Sequence, residues 1–153
     1  MYMAQPPKVE IIYEDHGFRY TILWVSRHRP LPAQITELKR KLGSIRVMML
    51  SGVVPNAEYV VEVARKYNAD IIVPVLPLSF IARLAELSRK QGFTVLFVRM
   101  DAIAQTTPEK ATKLIAEAPE KRTMTTYADG SVKVHEFKGF EKVVKVEVVT
   151  EPW

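Results

Sequence analysis

Between residues 33 and 98 one local pattern recurs three times: an amphipathic helix, a glycine or asparagine that ends it, and an apolar strand one or two residues later. Ala33–Leu42 carries Ile35, Leu38 and Leu42 at helical spacing, stops at Gly43, and gives way to the strand Ile45–Leu50. A second helix begins after Asn56, a side chain able to cap free amides, places Ala57, Val60, Val61, Ala64 and Tyr67 on one stripe, and ends at Asn68. The strand beginning at Asp70 follows at once. A third helix runs from Ser79 to Gly92 and leads into Phe93–Val98. Strands joined through helices with so little chain between them are the pattern of parallel βαβ crossovers. The expected fold class is therefore α/β: a Rossmann-like three-layer α/β/α arrangement with a mainly parallel sheet.

The flanking segments add antiparallel elements to this expectation. Val9–Tyr13 and Arg19–Val25 are β-rich runs on either side of Glu14-Asp15-His16-Gly17, which predicts an N-terminal hairpin over residues 9–25 leading into the first parallel strand. Residues 26–100 hold the βαβ repeats. In residues 101–153, Thr107 and Pro108 open a fourth helix that Pro119 closes. Asp129-Gly130 predicts a two-residue hairpin turn, and the alternation of Val144, Val146 and Val148 with Lys145 and Glu147 predicts a last antiparallel strand. No linker divides the chain, so residues 1–153 read as one domain. Pro74 resists the parallel reading, because proline offers no amide to a strand ladder. A short strand ending at Val73 accommodates it.

Composition narrows the functional classes. The chain has 153 residues, 48% of them hydrophobic and 25% charged, and no cysteine, which excludes disulfides, thiolate metal sites and cysteine nucleophiles. Three histidines, His16, His28 and His135, lie far apart, so the pattern calls for no metal and no cofactor. The longest uncharged apolar run, Ile71–Ala82, falls short of the roughly 20 residues that span a bilayer. The opening residues lack the basic start and apolar run of a signal peptide. Together these point to a cytoplasmic protein that does not engage membranes. Few asparagines and abundant Val, Ile, Lys and Arg lean towards a thermophile. The net charge is +5, with eight basic against four acidic residues in 1–50 but eight against nine in 101–153. That bias attracts anions, although it is weaker than in dedicated nucleic-acid binders.

In open α/β sheets, ligands bind outside the carboxyl ends of the parallel strands. The segments placed there are Ser26, Arg27, His28 and Arg29 after the first parallel strand, Ser51 and Gly52 after the second, Ser79 after the third, and Arg99 and Asp101 after the fourth. Guanidinium forks, hydroxyls and helix N-termini together suit a phosphate. Ser26, Arg27, Arg29, Ser51, Gly52, Ser79 and Arg99 are the expected ligand contacts. His28 with Asp101 behind it is the acid/base pair if the chemistry is hydrolytic. Neither a glycine-rich dinucleotide fingerprint nor a GxxxxGK[ST] phosphate loop is present. The leading expectation is an anionic small molecule or nucleotide as ligand, with catalysis undecided. The alternatives are a non-catalytic homo-oligomer, of which a homodimer is the simplest case, and a weak nucleic-acid binder.

Overall fold

The computed structural model describes residues 5–153. Its elements, in chain order, are β1 (Lys8–Glu14), β2 (Tyr20–Val25), α1 (Pro32–Leu42), β3 (Ile45–Ser51), α2 (Ala57–Lys66), β4 (Ile71–Pro74), α3 (Leu78–Gln91), β5 (Thr94–Thr106), α4 (Pro108–Glu117), β6 (Arg122–Thr126) and β7 (Val132–Lys142). They divide into two compact units. One holds the described residues up to Arg29 with Ser44–Phe97 and Glu141–Trp153, and the other holds Pro30–Gly43 and Val98–Phe140.

In the first unit the strand order is β1-β3-β2-β4-β5. Parallel pairing is confined to β2 with β3, β2 with β4, and β4 with β5, while β1 runs antiparallel to β3. Helices α2 and α3 pack against each other and share one core, made by Leu23, Val25, Met48, Leu50 and Ile72 from the strands with Val60, Ala64 and Leu84 from the helices. The helix ends are where local chemistry puts them. The Asn56 side chain accepts from the Tyr59 amide at 2.9 Å. Asn68, at φ 54°, is the sole non-glycine with positive φ among the described residues, and Gly92 closes α3 at φ 82°.

The mainly parallel three-layer sandwich is not what forms. The sheet is mixed: β1–β3 and β6–β7 are antiparallel, and α2 and α3 occupy one layer of their unit, while α1 belongs to the second unit. The N-terminal hairpin is also absent, because β3 lies between β1 and β2. The connection that looked like a hairpin turn is the seat for the start of β3. The Asp15 amide donates to Ile45 O at 2.9 Å, the Asp15 carboxylate accepts from the Ile45 amide at 3.1 Å, and the Arg19 amide donates to Ser44 O at 2.9 Å. The backbone groups that a β1–β2 ladder would have used pair with β3 from its two sides. Pro74 closes a four-residue strand flanked by two neighbours; the ladder resumes one residue later, where the Val75 amide reaches Val25 O at 2.9 Å.

In the second unit, β5, β7 and β6 are hydrogen-bonded in that order. Strand β5 is thirteen residues long and runs through the predicted Arg99–Thr107 loop. Thr107 caps α4, as its position before Pro108 predicts. The β6–β7 hairpin forms, but its loop spans Tyr127–Ser131: the Tyr127 amide donates to Ser131 O, and the Asp129 carboxylate accepts from the Ser131 amide and hydroxyl. The predicted last strand does not form, since β7 ends at Lys142 and residues 143–153 belong to no strand.

Glu136 on β7 is nearly buried and holds Lys138, Arg122 (Nε to Oε1 3.0 Å) and Lys121 (3.6 Å). Hydrogen bonds from Lys138 and Arg122 lower its carboxyl to about 2, from an ordinary 4.5. A carboxyl lowered on folding stabilises the native state above its unfolded value, and that stabilisation is lost as pH falls through the folded value. Glu136→Gln should therefore lower stability at neutral pH. In urea titrations the gap to the unaltered protein should close as pH drops from about 4.5 towards about 2. A constant gap over that range would assign the effect to packing and not to charge.

Candidate functional site

The carboxyl ends of β2, β3 and β4 surround a cleft of about 400 Å³. Ser26, Arg27 and His28 come from the end of β2, Gly52, Val53 and Val54 from the end of β3, and Val75, Leu76 and Pro77 from the end of β4, with Phe80 from the first turn of α3. Its walls are mostly apolar, and its polar contribution is concentrated in the β2 end.

That end is built by short bonds. Ser26 is buried, and its hydroxyl accepts from the His28 amide at 3.1 Å, a side-chain turn that reverses the chain directly after the strand. The indole of buried Trp24 donates to His28 O at 3.3 Å. The Ser26 amide donates to Leu50 O at 3.2 Å, so the turn is tied to β3 as well. Arg27 and His28 emerge exposed from this fixed turn. Ser26 therefore shapes the turn through its hydroxyl and also lines the cleft.

Arg27 also borders a second, shallower cleft of about 320 Å³ with Ser51, Gly52, Val53, Lys8, Gln5 and Pro6. Gly52, at φ 90°, borders both clefts. The Val53 amide donates to Gln5 O at 3.0 Å, laying residues 5 and 6 across the end of β3. Helix α3 points its N-terminus at the larger cleft. Its N-cap is Pro77, with no side-chain cap, and the Phe80 and Ile81 amides both turn back to Pro77 O. The remaining first-turn amides at Leu78 and Ser79 carry the positive end of the helix dipole.

The structure thus gathers Ser26, Arg27, His28 and Gly52 around one cleft and Ser51 beside it. The other expected contacts lie elsewhere. Ser79 sits inside the first turn of α3, exposed and off the cleft wall, and Arg29 is exposed outside the lining. Arg99 and Asp101 are strand residues in the second unit, where Arg99 Nε stands 3.5 Å from Asp101 Oδ1. Sequence reasoning missed the apolar walls, Val53, Val54, Leu76 and Phe80, and the cation Lys8. A signal for the walls was present: Val53-Val54 and Val75-Leu76 are apolar pairs in loops, where solvated backbone ordinarily selects polar residues.

Among the described residues no cluster of three or more His, Asp or Glu could hold a metal ion, and no helix is long and apolar enough to cross a membrane. Compared with known proteins, the chain matches no family model, no curated protein and no solved structure.

Proposed function

We propose that this protein binds a small anionic ligand with an apolar or aromatic body, a phosphate-bearing molecule such as a nucleotide, in the cleft at the carboxyl ends of β2, β3 and β4. The observation that carries the reading is the position of Arg27. A guanidinium stands at the rim of an apolar-walled cleft, on a turn held by Ser26 and Trp24, with the uncapped N-terminus of α3 on the same cleft. Apolar walls would take the ligand body, and the guanidinium would take its anion, with the dipole of α3 adding to the attraction. His28 is the acid/base candidate on the same turn, and binding does not require it.

The test is calorimetric titration with inorganic phosphate, nucleoside mono-, di- and triphosphates and cyclic dinucleotides. Arg27→Glu should weaken the best ligand about tenfold to a hundredfold, the range for one charge-assisted hydrogen bond. Because Arg27 is exposed, the melting temperature without ligand should stay the same. No binding across the panel, or equal binding by the variant, defeats the reading.

A further inference from the structure

A segment with the pattern of a strand, residues 143–149, joins no strand among the described residues. Val144, Val148 and Val149 are 71%, 84% and 89% exposed, in a stretch that alternates valine with Lys145 and Glu147. Its start is fixed: the Val143 amide donates to Val95 O at 2.8 Å, and Arg89 donates to Val144 O at 3.1 Å. Beyond that point Val144, Val148 and Val149 stand exposed and Val146 is half-buried. In the same unit, β1 is an edge strand. Its half from Lys8 to Ile11 pairs regularly with β3, the bulge comes only after Ile11, and the Ile11 side chain is 51% exposed. An edge of this kind is a template for one more strand.

We propose that residues 144–147 of one copy add antiparallel to residues 8–11 of β1 in a second copy, so that the protein self-associates by strand addition. The charges select the pairing. Lys8 and Glu10 stand 3.9 Å apart on one face of β1, and Lys145 and Glu147 stand 3.3 Å apart in the segment. Antiparallel alignment of Glu147 with Lys8 and of Lys145 with Glu10 sets both oppositely charged pairs across the strands. The same alignment sets Val146 beside Val9 and Val144 beside Ile11, so the apolar faces coincide too. Parallel alignment of the same faces would oppose Lys145 to Lys8 and Glu147 to Glu10. The edge strand of the second unit, β6, has no acidic residue to meet Lys145.

The segment cannot reach β1 of its own chain. Val143 pairs with β5, and three strands stand between β5 and β1. At about 4.8 Å per strand spacing the two edges lie roughly 20 Å apart, whereas Val144, one residue past the anchor, would have to lie beside Ile11. The occupant of the β1 edge is therefore a second copy. This inference is independent of the ligand site.

Light scattering coupled to gel filtration tests it on the intact chain over a range of concentrations. The expected mass exceeds that of one chain. Val144→Asp with Val148→Asp, at positions already in water, should leave the melting temperature of the single chain unchanged and abolish the assembly. Lys145→Glu or Glu10→Lys alone should each raise the dissociation constant about tenfold, and the two together should restore it. A single-chain mass at every concentration overturns the proposal, as does an assembly indifferent to the double aspartate variant. Single variants that weaken association without mutual rescue overturn the antiparallel register.

Discussion

Trp24→Ala is expected to remove about 3–5 kcal/mol of stability, the range for deleting a large buried aromatic, and to loosen the turn at the end of β2 at the same time. Trp24 is 2% exposed one residue before the end of β2, paired with Met49 of β3 on one side and Val73 of β4 on the other. Its indole is fully enclosed, so deleting it leaves a cavity beside the turn that follows β2. The indole N–H is also the donor that fixes His28 O, and with it the turn that presents Arg27. Trp24→Phe separates the two effects. It keeps most of the buried area but loses the hydrogen bond, so it should cost about 1 kcal/mol for the missing partner plus a smaller packing loss. Urea titration gives the stabilities. Amide exchange at His28 gives the state of the turn, and should quicken in both variants. Unchanged exchange in Trp24→Phe would show that the Ser26 hydroxyl alone holds the turn.

The second large effect belongs to Gly52. A methyl group built there would lie 2.3 Å from Pro6 O and 2.9 Å from Pro6 C, with φ at 90°. Neither neighbour is a flexible side-chain end; both are backbone. Gly52→Ala must therefore expel residues 5 and 6 from the end of β3 or bend β3 itself. Left-handed strain in a non-glycine residue costs about 1–3 kcal/mol, and losing the Val53 amide to Gln5 O bond adds about 1 kcal/mol. The expected outcome is a loss of about 2–4 kcal/mol on those two principles, with the Val53 amide newly open to exchange. Removing residues 1–6 from the alanine variant should then recover part of the loss, because the clash partner has gone. No recovery would locate the damage in β3.

Features decided within a few residues were legible in the sequence. Gly43, Asn68 and Gly92 announced helix ends through the left-handed conformations they tolerate, and Thr107-Pro108 announced the start of α4. Strand partners are not local, and there the reading failed. The Asp15–Gly17 turn chemistry was real, with Gly17 at φ 66°, but a turn does not specify that its two strands pair with each other. Arg99 and Asp101 were expected beyond a strand that ends at Val98; continued pairing keeps them in β5. Residues 143–149 show the opposite error, in which a strand-like pattern forms no strand because no neighbour supplies a ladder. A cleft does lie at the carboxyl ends of β2, β3 and β4, whose common direction follows from the chain order of their helices. Ser79, Arg99 and Asp101 fell outside it where an element boundary was misjudged by a few residues.

The interposition of β3 between β1 and β2 governs the order in which the polypeptide can become structured. Two adjacent β-rich runs would ordinarily zip together across a short loop, the fastest long-lived contact open to a strand. Here neither run has a partner until residues 45–51 are in place, since both of their ladders are to β3. A nascent chain that has emerged only as far as Gly43 therefore displays two unsatisfied strands and no route to satisfy them. Its first sheet is a three-stranded event that closes two loops onto β3 together, and the other edge of β2 stays open to wrong partners until residues 71–74 of β4 are made.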